Sequence, residues 1–231
     1  MRGMKIIAIA TIASIALWGC GKKDAPAPTS EQAERGAPES AATDEAEGER
    51  DDAAEMPERA TLGKPAPFFK AKDQDGEEHE LRNYRGKIVV LEWINPECPY
   101  VQRHHEAKTM ATLAERYGER DVVWLGIDSS HFVKPEASKE FREKYGVRYP
   151  VLQDPTGAIG RVYEARTTPH MYIIDAEGIL RYRGAIDDDP RGSEGEAKNY
   201  VDAALAALLA GEEIAEADTE PYGCTVKYEG S

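Results

Sequence analysis

The run Ile88-Val89-Val90-Leu91-Glu92-Trp93-Ile94, followed by Asn95-Pro96-Glu97-Cys98-Pro99, restricts the fold of this chain more than any other stretch. A nearly unbroken apolar run rich in β-branched residues makes a strand buried on both faces, the kind found in the middle of a parallel sheet. Asn95-Pro96 ends that strand. Pro99 then opens a helix expected to reach about Tyr117, because proline suits the first helical turn, where its missing N–H would have no partner. Cys98 is thereby placed at a helix N-terminus, just past the carboxyl end of a central strand. Unpaired N–H groups and the helix dipole favour negative charge there. A thiol so placed ionises more readily, and the thiolate is the reactive form.

Glu92 interrupts the buried run. A carboxylate in an apolar interior is costly unless it is paired. Six residues before Cys98, it reads in two ways: as a carboxyl beneath the thiol, able to exchange a proton with it, or as a strand-end side chain that reaches solvent. Trp93 beside it is either a wall of a substrate groove or a core residue.

The first residues have a different task. Arg2 and Lys5 precede the apolar run Ile6 to Leu17, which is too short to span a bilayer and has the form of a secretory leader. Leu17-Trp18-Gly19-Cys20 resembles the lipobox of bacterial lipoproteins, in which the leader is cut before a cysteine that is then lipidated; Trp18 is bulkier than that pattern prefers. Residues 1–20 are read as a lipoprotein-type signal peptide with Cys20 as the lipidation site. This implies an exported chain, lipid-anchored at the periplasmic face of a bacterial membrane. The alternative is an ordinary cleaved signal in which Cys20 is incidental. Either way the destination is one where disulfides persist. The sequence holds three cysteines, so lipid on Cys20 leaves Cys98 and Cys224 as an even pair.

Residues 21–58 are rich in Ala, Glu, Pro, Ser, Gly and Asp, with almost no large apolar side chain. Such a segment cannot bury enough surface to offset its ordering entropy, and it reads as a disordered acidic linker. The net charge is −14, and residues 21–60 supply half of it with 5 basic and 12 acidic residues. Nucleic-acid binding, which needs a basic face, is not expected.

A single globular domain is expected over residues 59–211. Asp75-Gly76 signals a hairpin turn between Phe68–Lys72 and Glu78–Leu81. Asp121 to Ile127 is a second buried strand, Pro135 to Tyr145 a helix, Tyr149 to Asp154 a short extended piece and Thr156 to Tyr163 a short helix. His170 to Asp175 and Ile179 to Ala185 are strands joined at Ala176-Glu177-Gly178. A last helix is expected from about Glu194 to Leu209. Strands alternating with helices give an α/β domain with a parallel sheet, and the closing strand–turn–strand makes the sheet mixed. Residues 212–231 form a tail carrying Cys224.

The order of elements and the residues at their joints resemble the thioredoxin fold. They are similar in particular to the redoxin group that includes alkyl hydroperoxide reductase and thiol-specific antioxidant proteins. Leu62-Gly63-Lys64-Pro65-Ala66-Pro67-Phe68 resembles that group's domain entry, and Tyr84-Arg85-Gly86-Lys87-Ile88-Val89-Val90-Leu91 its run into the central strand. Cys98 falls where thioredoxins place the first cysteine of C-x-x-C. Thr167-Thr168-Pro169 resembles their cis-proline loop. Glu92 falls where thioredoxin has a buried Asp. The resemblance implies a thioredoxin-like fold, with a central mixed sheet and helices on both faces. It also implies a cis Pro169 against the cysteine, and a Thr168 backbone open to an extended substrate chain as an added strand.

Departures limit the function it implies. Val101 replaces the second cysteine of C-x-x-C, so no local disulfide forms. The Thr or Ser that peroxiredoxins place before their peroxidatic cysteine is Asn95 here, and their Pro is Leu91. Their activating Arg would fall near Pro169, with Arg166 three residues off. The tail sequence Tyr222-Gly223-Cys224 supplies another thiol. Three readings of it stand: Cys224 resolves intermediates formed on Cys98; the two form a static disulfide, stabilising by about 4–5 kcal/mol in the chain-entropy model; or Cys224 dangles. In the first reading the chain is an exported thiol-dependent oxidoreductase. Its substrate is a disulfide or a peroxide, Cys98 is the nucleophile, Glu92 the proton carrier and Cys224 the resolving thiol. An external thiol reductant resets it. In the second the chain is a non-catalytic module. No cofactor and no metal are expected. His104 and His105 are read as partly exposed helix residues, His131 and His170 as lone histidines, and Asp187-Asp188-Asp189-Pro190 as a solvated loop.

Overall fold

The computed structural model describes residues 59–230 except 194 and 196. The expected signal peptide, Cys20 and the linker to residue 58 lie outside the described residues. No helix among the described residues is long and apolar enough to cross a membrane.

The domain opens with a hairpin, β1 (Lys70–Lys72) and β2 (Glu78–Glu80), turned at Gly76 with φ +83°. A short 3-10 turn leads into β3 (Ile88–Trp93). There follow α1 (Pro99–Glu106), α2 (Thr109–Gly118), β4 (Val122–Asp128), α3 (Pro135–Tyr145), β5 (Val151–Gln153) and α4 (Ala158–Val162). Then come β6 (Thr167–Thr168), β7 (His170–Ile174), β8 (Leu180–Gly184), α5 (Tyr200–Ala210) and β9 (Cys224–Thr225).

The central sheet has the order β5-β4-β3-β7-β8. β3, β4 and β5 run parallel; β7 is antiparallel to β3, and β8 to β7. Every residue of β3 is buried, as its run of apolar residues requires in the middle position. Alternation along β3 sends Ile88, Val90 and Ile94 to one face, where α1, α2, α3 and α5 cover them with Val101, Leu113, Phe141 and Leu205. Val89, Leu91 and Trp93 face the other way, under the N-terminal hairpin, α4 and the tail. This is the thioredoxin-like mixed sheet with helices on both faces.

Two expectations about helices change. The helix after Cys98 does not run unbroken to Tyr117. It stops at Glu106, and Lys108 adopts the left-handed conformation, φ +58°, before α2 begins. Glycine or asparagine usually marks such a stop, and neither is present here. The last helix begins at Tyr200, later than the expected Glu194, a residue outside those described. Its real N-terminal signal is Asn199, whose side chain accepts the Asp202 N–H at 2.8 Å.

The tail is part of the fold. Cys224 packs against the helix-covered core, while Val226 is buried in the opposite core with Tyr228 packed beside it. The tail therefore crosses over the sheet at the end where β3 delivers Cys98. Tyr228 is accommodated because residues 157 and 160 are glycines; a Cβ at Gly160 would come within 2.4 Å of its hydroxyl.

Candidate active site at the Cys98 helix

Past Trp93 the chain turns sharply. Asn95 directs the turn: its carbonyl accepts the Cys98 N–H at 3.0 Å, and its side-chain oxygen accepts the Glu97 N–H at 2.7 Å. The Asn95 amide donates to the Ser130 hydroxyl, two residues past the end of β4. Cys98 is the N-cap of α1 with Pro99 in the first turn, as expected from the sequence. The side chain is only 3% exposed, and its thiol donates to the Thr168 carbonyl at 2.9 Å. The Thr168–Pro169 peptide is cis.

The edge of β6 does not stand open to a substrate chain, as the resemblance suggested. The protein's own tail occupies it: β9 pairs antiparallel with β6, Thr167 opposite Thr225 and Thr168 opposite Cys224. Gly223 makes the approach feasible. Its φ is +141°, and a Cβ there would lie 2.1 Å from the Thr168 carbonyl oxygen. Cys98 and Cys224 are both free thiols, and their sulfurs lie within hydrogen-bonding reach of each other.

The two sulfurs differ in acidity. Burial pushes the Cys98 thiol up, but hydrogen bonds from the Cys224 thiol and the Thr168 hydroxyl, with backbone groups at Val101 and Cys224, hold it below the ordinary thiol value. Cys224 is raised to about 11 by burial and by the neighbouring Cys98 sulfur. Of the pair, Cys98 is the more acidic sulfur and Cys224 the one that holds its proton. The more acidic sulfur is the buried one, and the less acidic one is partly exposed.

Glu92 does not reach solvent. It is fully buried in β3 on the same face as Val90, under α1 and α3. One carboxylate oxygen lies 3.0 Å from His105 Nε2 and the other accepts the Tyr149 hydroxyl at 2.6 Å. Burial and the carboxylate hold Tyr149 well above the ordinary phenol value, so it remains a donor. Gly126 sits opposite Glu92 in β4, and a Cβ there would come within 3.2 Å of Val151 on β5. His104 and His105 are buried at 1% and 3% exposure and are not the partly exposed residues expected of an exposed helix face. Two adjacent buried histidines point to different partners: His105 to Glu92, and His104 to the Tyr222 hydroxyl at 2.9 Å.

The other candidates fall as follows. Trp93 is fully buried on the face away from Cys98; its indole donates to Ser129 and its ring packs on Tyr163 and Tyr172. It is a core residue, because strand alternation turns it opposite to Glu92 and into the cluster with Leu91 and Tyr172. Arg166 is exposed and pairs with Glu220 at 3.2 Å, on the rim of a cavity of about 710 Å³ beside His170. The Asp187–Asp189 run is not a solvated loop: Asp187 and Asp189 are buried, with Asp187 accepting the Tyr222 hydroxyl. Among the described residues Asp73, Glu77 and His79 bring ligand atoms together. The Asp73 carboxylate there already accepts the Asp75 and Glu77 N–H groups, which is the chemistry of the hairpin turn.

His105, Tyr149, Asp187 and Tyr222 complete the site; Tyr222 pins the tail as its place beside Gly223 and Cys224 suggests, and the roles of the other three were not foreseen. Only Tyr222 carried a sequence signal, through its position beside Gly223 and Cys224.

Three buried groups set the acid response of the domain. Burial, aided by Arg103, holds His104 at about 4, and burial holds His170 at about 3. Burial pushes Asp128 up to about 7 from 3.8. Between about pH 6 and pH 4.5 the unfolded chain carries two histidine protons that the native state lacks. The native state carries one Asp128 proton that the unfolded chain lacks. The unfolded state thus holds the net extra proton, so acidification lowers stability, by about 1 kcal/mol per pH unit. Denaturant midpoints over that range measure it. Asp128→Asn removes the opposing group and should steepen the loss; a stability that is flat or rises on acidification contradicts this assignment.

Comparison with known proteins places these features in context. The family model described as the AhpC/TSA family matches residues 62–183. The thiol-disulfide oxidoreductase ResA of Bacillus thuringiensis subsp. konkukian is 30% identical over 121 residues, covering 52% of this chain and 68% of the relative. An uncharacterised conserved protein of Geobacillus kaustophilus has a similar structure, with TM-score 0.68 and 30% identity over 74% of this chain and 94% of its own. A hypothetical protein of Sinorhizobium meliloti 1021 matches with TM-score 0.68 and 26% identity, over 74% of this chain and 96% of its own.

Proposed function

This chain belongs to the AhpC/TSA family, and from that premise we propose that it is an exported thiol–disulfide oxidoreductase. The observation that carries the reading is the meeting of two free thiols, one at a helix N-terminus and one on a tail strand, beside a cis proline. The likeness to a thiol-disulfide oxidoreductase supports it.

The Cys98 thiolate attacks one sulfur of a substrate disulfide. A mixed disulfide forms on Cys98, and the other substrate sulfur leaves as a thiolate that takes up a proton. Cys224 then gives up its proton and attacks the Cys98 sulfur. The Cys98–Cys224 bond forms and the second substrate thiolate departs. Two thiols of an external reductant return the pair to the dithiol. The incoming reductant thiol meets the partly exposed Cys224, and Cys98, the more acidic sulfur, is the better leaving group. Glu92 keeps the role of proton carrier, with His105 and Tyr149 holding its carboxyl. Thr168 and Pro169 hold the two sulfurs together. Cys20 carries the lipid that fixes residues 59–211 and their tail to the periplasmic face of a membrane, with residues 21–58 as spacer.

The test is a pair of turnover assays on the full chain, one with glutathione disulfide and one with a hydroperoxide. The expected result is turnover of the disulfide with a Cys98–Cys224 bond mapped by mass spectrometry. Turnover of the peroxide alone moves the chain to peroxide reduction. A Cys98–Cys224 bond that no thiol reduces in the folded protein makes it a static staple and sinks the proposal.

A further inference from the structure

Cys224 lies more than a hundred residues from Cys98 in sequence, yet its sulfur is within hydrogen-bonding reach of the Cys98 sulfur. Something must hold it there. Two residues before it, the Tyr222 hydroxyl enters a polar seat. It donates to the Asp187 carboxylate, lies 2.9 Å from His104 Nε2, and accepts from Arg103 Nη2 at 3.4 Å. Arg103 is tied in turn to the Asp189 carbonyl at 3.0 Å. It lies against Gly192, where a Cβ would come within 2.6 Å of the guanidinium. The Tyr222 ring is 6.1 Å from that of Tyr100.

Arg103 and His104 belong to α1, the helix whose N-cap is Cys98. One helix therefore holds both sulfurs: Cys98 directly, and Cys224 through Tyr222. We infer that Tyr222, seated on Asp187, His104 and Arg103, is the positioning residue that sets the effective concentration of Cys224 at Cys98. Gly223 is its complement, because it alone lets the next residue close on the Thr168 carbonyl. The inference rests on the proposal that the two cysteines exchange. It adds which residues determine how strongly they do so.

The measurement is the equilibrium constant for the pair in a glutathione buffer. Two glutathione thiols give two electrons and two protons to the Cys98–Cys224 bond and become glutathione disulfide. Mass mapping of the alkylated protein reads the ratio of dithiol to disulfide. A positioning role predicts that Tyr222→Phe shifts the ratio toward dithiol by about tenfold, the value of one charge-assisted hydrogen bond. Asp187→Asn keeps an acceptor oxygen and should restore most of the wild-type value, whereas Asp187→Ala should match Tyr222→Phe. Gly223→Ala leaves the seat untouched and displaces the strand, and should move the ratio in the same direction. It keeps the test decisive if Tyr222→Phe folds poorly. A purely structural role lowers the melting temperature of both redox forms alike and leaves the ratio unmoved. Ratios within twofold of wild type for Tyr222→Phe and Gly223→Ala overturn the inference while leaving the exchange reaction standing. If wild type forms no reducible bond, the exchange reaction itself is lost.

Discussion

Cys98→Ser is expected to bring disulfide turnover down to the uncatalysed level, a loss of roughly a thousandfold or more, because the neighbouring Cys224 thiol is raised to about 11 and has no second thiol left to resolve a mixed disulfide. Cys224→Ser should behave differently. Cys98 remains able to attack once, so a stoichiometric mixed disulfide accumulates and repeated turnover stops. The same variant removes the thiol that donates to Cys98, one of the bonds that hold the Cys98 proton affinity down. The pH at which Cys98 becomes half-reactive toward iodoacetamide should therefore rise in Cys224→Ser. Rate profiles from about pH 5 to pH 10 measure this. An unchanged profile shows that the tail thiol does not tune its partner. Residual turnover in Cys98→Ser would place the chemistry elsewhere in the chain.

His105→Leu should be the most destabilising single change near the site. It strips one partner from a carboxylate that is fully buried. Tyr149 continues to donate to the second oxygen, but the first is left in an apolar interior. Leaving a buried acceptor without its hydrogen-bond partner costs about 1–3 kcal/mol, a large part of the stability of any single domain. The double variant Glu92→Leu/His105→Leu should recover most of that loss, because two apolar groups then pack where a buried carboxyl oxygen stood without a partner. Denaturant midpoints for the singles and the double close the cycle. A double variant as unstable as His105→Leu means that the histidine matters through its packing on Phe141 and Tyr145, and the carboxylate little. The double variant also separates folding from chemistry. If Glu92 carries the proton, it should fold and exchange disulfides slowly.

Much of this was legible because it is local. The apolar run of β3, the proline after Cys98, the Asp75-Gly76 turn and the glycine after Glu177 each determine their own few residues, and the elements fell near the expected places. Alternation along β3 was equally available: it already separates Glu92 from Trp93, and the structure follows it. The break at Lys108 was hidden because a lysine took a conformation that usually announces itself through glycine. The buried state of His104 and His105 was hidden for another reason. Neither neighbour in sequence explains it; the partners are Glu92 on a strand and Tyr222 on the tail. The acidic run at Asp187 looked like solvated loop for the same cause. A carboxylate reads as exposed until the hydroxyl that pays for its burial is known, and that hydroxyl comes from a residue far along the chain. Asn199 was the overlooked local signal, a cap three residues before Asp202.

The crossing tail has a consequence for how the molecule comes into being. In chain order Cys98, the Thr168 edge and the last helix all precede Cys224, so a domain whose tail has not yet docked presents its thiol with that edge bare. Any oxidant or passing polypeptide met in that window competes with a strand that has not yet paired. An intermediate folded as far as its last helix should thus be more promiscuous than the finished molecule, and maturation ends when the terminal segment settles over the sheet and closes that edge.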